Sequence, residues 1–439
     1  MSSRKNKIAT VATSLWLILV VAFVCRIGYA CQQVRETPAE ALASVPFEQE
    51  AGNIAMSLAT GKGFSSPTRR NTGPTAWLAP VYPLLVAGIF RMFGIFTLHS
   101  FYAAAALNIL FSTATCVPIC YAGERIAGRG AASLAAWLWA LFPNAIVIPF
   151  QWIWETSLAA FLAATILWAT LSISRSRRTR DWCAYGLLWG LALLTSPALG
   201  AVLPFLLVWL LYRARHEAGG QLAGPAIALG LTILCCVPWT IRNYADFHRL
   251  IPLRSDLPFE LWLGNNPVFD FNSPDVNARV TPYEQSRLYS RLGETAFMQE
   301  KWNLAAAFIR THKRLELRLT RWRFLSFWLG SFRPLQDFAV AELWLQAVLV
   351  VSFLTAAGSA IGIAVLWRAG SPYTIPAASF ILAFPLVYYM THASLRYRHP
   401  IDPIVLTLTA VATMGARRRG AAIASAPPDR TPANERISA

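Results

Sequence analysis

Residues 155–197 read ETSLAAFLAATILWATLSISRSRRTRDWCAYGLLWGLALLTSP, two long apolar runs joined by a short basic connection. The runs lie near 155–173 and 182–197 and are candidate membrane spans, since a helical span is built from roughly 20 mainly apolar residues. The connection contains four arginines, Arg175, Arg177, Arg178 and Arg180. Short arginine-rich connections favour the cytoplasmic side of a membrane. This stretch therefore predicts two spans with a cytoplasmic turn between them.

The composition of the whole chain is also typical of a membrane protein. Of the 439 residues, 55% are hydrophobic and 14% are charged, whereas soluble domains carry about 25% charged residues. The mean hydropathy is +0.43. Lys and Arg number 39 and Asp and Glu 22, which gives a net charge of +17. Because the basic residues cluster in short connections between apolar runs, they are typical of cytoplasmic loops that lie next to anionic lipid headgroups. We therefore exclude nucleic acid as a partner.

Ten apolar segments are candidate spans and predict an all-α polytopic membrane protein. They lie near residues 9–30, 99–121, 130–148, 155–173, 182–197, 198–213, 222–240, 342–367, 374–391 and 402–416. The further basic connections at Arg213, Arg368 and Arg417 are all cytoplasmic in this arrangement, because an even number of spans separates each pair. Both termini are then cytoplasmic.

The segment Ala79–Phe96 (APVYPLLVAGIFRMFGIF) decides the number of spans. Pro80, Pro83 and the interior Arg91 leave a clean apolar stretch shorter than a membrane requires. If it crossed the membrane, every later basic connection would move to the outside. We therefore expect a helix that lies in the outer interface, with Arg91 reaching the headgroups.

This topology predicts one integral membrane domain over residues 1–416, with interfacial helices in two outer segments at 31–98 and 241–341. From about 282 to 327 the second outer segment mixes basic and aromatic residues with apolar ones, which predicts one long interfacial helix. That helix is either purely structural or in contact with substrate. Residues 417–439 are rich in proline, alanine and charge and predict a disordered cytoplasmic tail.

Few carboxylates fall near the predicted outer face. Glu48 and Glu50 follow the first span, and Glu155 stands at the outer start of another. A carboxylate that is partly desolvated at an interface can act as a general base, because its pKa rises towards neutrality. The alternative for all three is a solvated residue that the dipole of a helix N-terminus favours.

Four basic residues are candidates for binding a phosphate at the outer face. Arg396, Arg398 and His399 lie in the turn THASLRYRHPIDP at 391–403, and Arg242 ends the run PWTIR. An arginine on the outer side runs against the positive-inside bias, and a bound anion explains it. The alternative is that these side chains reach lipid headgroups. We find no obvious ligand set for a metal and expect no cofactor.

Several short motifs, taken in order, resemble family 39 glycosyltransferases. They are EAGNIA (50–55), GKGF (61–64), GPTA (73–76), PVYP (80–83), PWTIRNY (238–244), IPLR (251–254), LWLGNNP (261–267) and RYRHP (396–400). Those enzymes resemble dolichyl-phosphate-mannose protein mannosyltransferases and the lipid A aminoarabinose transferase, and share the C-type glycosyltransferase membrane fold. The resemblance runs from the first span to about residue 416.

The resemblance implies an activity and a set of roles. The expected activity is transfer of a sugar from a polyprenyl-phosphate donor to an acceptor hydroxyl at the outer face of the plasma (inner) membrane, with inversion if transfer is a single displacement. The family's acidic residue falls on Glu50, with Glu48 left open as the base. Arg396, Arg398 or Arg242 would neutralise the departing phosphate. The acceptor, whether glycan, lipid or protein, stays open.

Two other functions remain open at this point. A transporter or flippase of an anionic lipid would also place arginines at the outer face, although it predicts ionisable residues at mid-membrane depth and two similar halves. An assembly subunit that kept the fold and lost activity is the second. The pair of Glu50 and the arginine turn favours the enzyme.

Overall fold

The computed structural model describes residues 2–47, 49–174, 176–216, 222–267, 282–330 and 343–424. Within these ranges the chain is helical, and the one β-bridge joins Ser65 to Pro74. The all-α prediction is confirmed.

A long first helix is followed by short helices over residues 39–93. The helices are α1 (Ser2–Glu36), α2 (Ala39–Ser44), α3 (Glu50–Ala59) and α4 (Val81–Phe93). The helix α4 occupies the segment that decides the number of spans, and it has 13 residues. It packs against α3 and buries Tyr82 and Phe90. Arg91 is exposed and donates a hydrogen bond to the Leu58 carbonyl at 3.0 Å.

A bundle of apolar helices follows. It consists of α5 (Leu98–Ala114), α6 (Cys116–Ala127), α7 (Arg129–Ala140), α8 (Pro143–Gln151), α9 (Thr156–Ile173), α10 (Thr179–Leu193), α11 (Leu203–His216) and α12 (Ala223–Phe247). Thr97 starts α5 with a capping box to Ser100. Arg26 of α1 is fully buried. Its guanidinium donates to Ser112 Oγ at 2.9 Å and to the Ala140 carbonyl at 3.2 Å, which joins α1 to α5 and α7.

The second outer segment holds four described helices. They are α13 (Leu257–Gly264), α14 (Pro282–Leu292), α15 (Glu294–Thr311) and α16 (Lys313–Leu329). The prediction of one long helix from 282 to 327 is therefore wrong. Gly293, with φ of 75°, separates α14 from α15, because a left-handed residue cannot continue an α-helix. A second break, at His312, separates α15 from α16.

The last described helices close the bundle. They are α17 (Leu343–Arg368), α18 (Thr374–Ala383), α19 (Leu386–Met390), α20 (Leu395–Arg398) and α21 (Asp402–Ala424). The helix α17 packs along α21, and α10 packs along α12. The helix α21 extends past residue 416, and the end of the predicted tail, 425–439, lies outside the described residues.

By length and composition, several of these helices are candidate membrane spans. Among the described residues five helices qualify, Leu15–Glu36, Leu98–Ala127, Thr156–Ile173, Ala223–Phe247 and Gln346–Arg368. The pair α7 and α8, bent by 43°, is a sixth if it counts as one span. The chain is a multi-pass membrane protein. The other predicted spans fall on α10, α11, α18–α19 and α21, and the total of ten remains a prediction.

Candidate active site

A cavity of about 450 Å³ lies where both outer segments meet the ends of the apolar helices. Its walls come from α3, the start of α9, the loop before α13, α13 itself and the turn at 391–397. Apolar side chains such as Trp77 and Leu253 cover most of the surface. A few charged groups converge on it: Glu50, Glu155, Arg254, Asp256, Glu260 and Arg396. A largely apolar pocket with a few convergent charges is the usual form of a ligand site.

Glu50 enters the cavity from the first turn of α3. The buried face of α3, which includes Ile54 and Ala55, fixes the helix, and Phe47 just before it packs on Phe90 with ring centroids 4.9 Å apart. Burial raises the pKa of Glu50 to about 7. A carboxyl group with this pKa can take up and release a proton near neutral pH.

Arg396 lies on the cavity wall in an aromatic cage. Its guanidinium lies over the rings of Trp152, Trp154 and Tyr397, with centroid distances of 4.6, 5.2 and 4.7 Å. It donates one hydrogen bond, to Tyr397 Oη at 2.7 Å. Among the described residues no carboxylate forms an ion pair with it. The cage holds the cation in position and leaves its other N–H groups for an anion.

Arg254 is the second guanidinium on the cavity wall, and it is already neutralised. It forms a bidentate ion pair with Asp256, whose side chain is 2% exposed. Desolvation raises the pKa of Asp256 to about 6, and the attraction of Arg254 opposes that rise. The pair therefore contributes little net charge, and among the described residues Arg396 is the guanidinium of this wall without a carboxylate partner.

Tyr397 and His392 extend the hydrogen bonding from Arg396, and the Glu260 carboxyl group lies beside His392 without a hydrogen bond to its Nδ1. Tyr397 Oη lies 2.6 Å from His392 Nε2, and His392 Nδ1 lies 3.2 Å from Glu260 Oε2. Burial and the nearby Arg396 lower the pKa of His392 to about 3. Burial also raises the pKa of Glu260 and that of Tyr397, the latter to about 12. The imidazole is therefore neutral and the phenol keeps its proton.

Arg398 and His399 were predicted to bind phosphate, but the structure places both away from the cavity. Arg398 is fully buried, pairs with Asp402 at 2.7 Å and donates to the Trp328 carbonyl at 2.7 Å. His399 is buried against the Trp139 ring with centroids 5.2 Å apart. The helical turn α20 explains the difference, because two residues apart on a helix point to nearly opposite sides. Arg396 faces the cavity and Arg398 faces the interior.

Arg242 also lies outside the cavity wall. Its guanidinium pairs with Asp246 at 2.9 Å and donates to the carbonyls of Thr75 and Phe64, both at 2.6 Å. These contacts fasten the end of α12 to the first outer segment. The outward arginine that the sequence suggested as a phosphate ligand therefore has an internal counter-ion and two carbonyl acceptors.

Comparison with known proteins gives matches in structure and none in sequence. No protein-family description matches the chain, and no curated protein matches it. The chain is similar to the archaeal oligosaccharyltransferase AglB from Archaeoglobus fulgidus, solved with an inhibitory peptide and a dolichol-phosphate. The identity is 14%, the match covers 97% of this chain and 53% of that one, and the TM-score is 0.53. The chain has the C-type glycosyltransferase fold.

Two further solved structures can be compared with this C-type fold. The apo form of the Archaeoglobus fulgidus oligosaccharyltransferase is 13% identical, with 94% of this chain and 52% of that one covered and a TM-score of 0.52. ArnT from Cupriavidus metallidurans, bound to undecaprenyl phosphate, is 14% identical, with 96% and 81% covered and a TM-score of 0.41. This chain spans about half the length of the oligosaccharyltransferases it matches.

Within the C-type fold the structure groups some of the predicted site residues and adds others. Glu50, Glu155 and Arg396 line one cavity, although Glu155 and Arg396 are 241 positions apart in the sequence. Glu48 lies outside the described residues. Arg254, Asp256, Glu260 and Tyr397 also line the cavity and were not predicted as site residues. Arg254 ends the motif IPLR and Tyr397 stands between two arginines, so the sequence could have identified both as site residues. Nothing in the local sequence marks Asp256 or Glu260.

Proposed function

We propose that this protein transfers a sugar from a polyprenyl-phosphate donor to an acceptor hydroxyl at the outer face of the membrane. One observation carries the proposal: a single cavity holds Glu50, whose pKa lies near 7, together with Arg396, a caged guanidinium with no described carboxylate partner. A base and an anion site in one pocket are the two parts that displacement of a phosphate requires.

In the proposed reaction Glu50 accepts the proton of the acceptor hydroxyl. The acceptor oxygen then bonds to the anomeric carbon of the sugar, and the bond from that carbon to the phosphate oxygen breaks. The electron pair leaves with the phosphate, and Arg396 neutralises the charge that develops there. One direct displacement of this kind inverts the configuration of the anomeric carbon.

The shape and lining of the cavity suit a donor whose tail stays in the bilayer. Apolar side chains, among them Leu78, Pro252, Leu253 and Leu257, cover the wall beside the charged groups. They would contact the first isoprene units, while Arg396 binds the phosphate and Glu50 approaches the acceptor. The acceptor itself, whether glycan, lipid or protein, is not specified by these contacts. Among the described residues no group of three His, Cys, Asp or Glu side chains is arranged to hold a metal ion.

The test is a transfer assay in membranes with a panel of radiolabelled undecaprenyl-phosphate sugars. Glu50→Gln keeps the size and polarity of the side chain but cannot take a proton. It should lower turnover by about 10²–10⁴-fold, the usual range for a lost general base. Binding of undecaprenyl phosphate to the purified protein should stay nearly unchanged.

Glu36→Gln is the matched control, because Glu36 is an exposed carboxylate at the end of α1. It should transfer like the wild type. Glu48→Gln tests the alternative base. A larger loss of turnover in Glu48→Gln than in Glu50→Gln would assign the base to Glu48. Wild-type turnover in Glu50→Gln would refute a carboxylate base at this position.

A further inference from the structure

We propose that the exposed face of α16 is a docking surface for the headgroups of anionic phospholipids. This basic face consists of four cations and two apolar side chains: Lys313, Arg314, Arg318, Arg321, Leu317 and Phe324. The proposal goes beyond the proposed sugar transfer, because it assigns a partner to a surface outside the cavity.

The spacing of these residues places their side chains on one side of the helix. From Arg314 to Phe324 they follow one another at steps of three or four residues, the spacing of neighbours on a helical face. All four cations are exposed, and Leu317 and Phe324 are 73% and 46% exposed. Leu319 and Arg323, on the opposite side, are buried. The helix α16 therefore packs on the protein with one side and presents the basic face outward.

The cations of the basic face lack a counter-ion within the described part of the chain. There none of the four forms an ion pair or a side-chain hydrogen bond. Glu316 is the acidic residue of α16, and it pairs with the buried Arg323 at 3.0 Å on the other side. Like charges three or four positions apart on a helix repel each other. An anion that covers the basic face would remove this repulsion.

The neighbouring stretches of sequence carry too little negative charge to cover the basic face. Residues 268–281 and 331–342 contain four carboxylates and two arginines: Asp270, Asp275, Asp337, Glu342, Arg279 and Arg333. Four negative and two positive charges give these stretches a net charge of −2, against four cations on α16. Neutralising the basic face therefore requires a partner from outside the chain.

The position of α16 and its exposed apolar side chains favour a lipid surface over a soluble anion. At the end of the helix Trp328 donates to Tyr389 Oη at 2.7 Å. A Cβ atom at Gly330 would lie 2.5 Å from the side chain of Leu349, which belongs to the candidate span Gln346–Arg368. The helix therefore ends beside a candidate membrane span.

The mixture of arginine with exposed apolar residues is typical of helices that lie on a membrane surface. Leu317 and Phe324 would enter the boundary of the acyl chains, while the arginines beside them reach phosphates. A soluble polyanion would pair with the arginines but leave both apolar side chains in water. The composition of the basic face therefore matches an anionic phospholipid surface.

The opposite side of α16 connects this surface to the cavity wall. Arg323 donates to the Gly264 carbonyl at the end of α13 and to the Met390 carbonyl before the turn at 391–397. A helix that is fixed on headgroups by one side holds these two parts of the wall through the other. Bound anionic lipid should therefore stabilise the folded protein, because a ligand of the native state raises its stability.

The experiment measures lipid binding to the purified protein in a neutral detergent by native mass spectrometry. The probes are dioleoyl-phosphatidylglycerol and dioleoyl-phosphatidylcholine, which have the same acyl chains and differ in net charge. An arginine beside an anionic lipid surface contributes about fivefold in affinity, so Arg314→Gln/Arg318→Gln/Arg321→Gln should bind phosphatidylglycerol about 10²-fold more weakly. Binding of phosphatidylcholine should stay unchanged.

Lys62→Gln/Arg249→Gln/Arg291→Gln is the matched control, since it removes the same charge from three exposed positions on other elements. It should bind phosphatidylglycerol nearly like the wild type. Phosphatidylglycerol should raise the unfolding temperature of the wild type and of this control, but not that of the α16 triple variant. The single variant Arg318→Gln should lose about fivefold in affinity, and it provides the test if the triple variant does not fold.

Two results would overturn the docking surface. One is equal binding of phosphatidylglycerol by the α16 variants and the wild type, or an equal loss in the matched control. The other is soluble polyphosphate that binds the wild type more tightly than phosphatidylglycerol does and fails to bind the α16 variants, which would assign the basic face to a soluble polyanion. Neither result affects the transfer assay with Glu50→Gln, so the docking surface and the proposed function fail or stand separately.

Discussion

At the scale of single residues, two arginines two positions apart have different surroundings and different roles. Arg396 lies in a cage of aromatic rings on the cavity wall, and Arg398 pairs with Asp402 in the interior. The pair of Arg398 and Asp402 is fully buried, so neither charge is available to a ligand in the cavity. Arg396 instead keeps N–H groups that a phosphate can accept from.

The role of Arg396 can be tested by substitution with lysine, which keeps the positive charge but lacks the planar guanidinium group with its several N–H donors. Arg396→Lys should weaken binding of undecaprenyl phosphate to the purified protein by about 1–3 kcal/mol, the size of a charge-assisted hydrogen bond. Arg91→Lys is the matched control, since Arg91 is exposed on α4. Equal affinity of Arg396→Lys and the wild type would show that the cage only anchors the turn.

The pKa of Glu50 predicts how the activity depends on pH. Burial raises this pKa to about 7, and only the ionised carboxylate can accept a proton. Transfer at low substrate concentration should therefore rise with pH and level off above about 7. The residual activity of Glu50→Gln should not rise with pH in this way, whereas the activity of Glu36→Gln should. If the activity of Glu50→Gln still rose with pH, the titrating group would be a different one.

At the scale of elements, the charged wall depends on how α13 docks against the turn that begins at Thr391. Arg323 of α16 joins the two, because it donates to the Gly264 carbonyl at 2.6 Å and to the Met390 carbonyl at 3.1 Å. A Cβ atom at Gly264 would lie 1.8 Å from the Thr391 carbonyl oxygen. This close approach brings Glu260 on α13 within reach of His392.

Gly264→Ala tests the docking of α13. The added methyl group must push α13 away from Thr391, and overpacking of this kind costs about 1–3 kcal/mol. The variant should unfold at a lower temperature in detergent and lose transfer activity. Gly88→Ala is the matched control, because nothing lies within 4 Å of a Cβ at Gly88. Equal unfolding temperatures for Gly264→Ala and the wild type would contradict the close contact.

At the scale of the whole molecule, contacts between distant segments hold the two predicted outer segments together. Glu294 accepts hydrogen bonds from Ala76 N at 2.8 Å, Ser255 Oγ at 2.6 Å and Tyr289 Oη at 2.7 Å. It therefore holds the first outer segment, the loop before α13 and α14 at one point. Arg242 adds the end of α12 to the same assembly.

The orientation in the membrane is tested by labelling with a membrane-impermeant maleimide in intact cells. The exposed Cys31 is first replaced by serine. Ser290→Cys on α14 should then be labelled from outside, and Thr179→Cys at the start of α10 should be labelled only after the cells are opened, since both positions are exposed. Labelling of position 179 in intact cells would refute the cytoplasmic arginine connection and the ten-span arrangement.

The sequence by itself determined the class of fold, because apolar runs and basic connections are local patterns that act through the membrane alone. It also identified Glu50 and Arg396 as candidates. Only the tertiary structure separated Arg396 from Arg398, because the direction of a side chain depends on the local helix. Only the tertiary structure brought Glu260 to His392, 132 positions along the chain. Such pairings depend on how distant helices pack, and no short stretch of sequence contains that information.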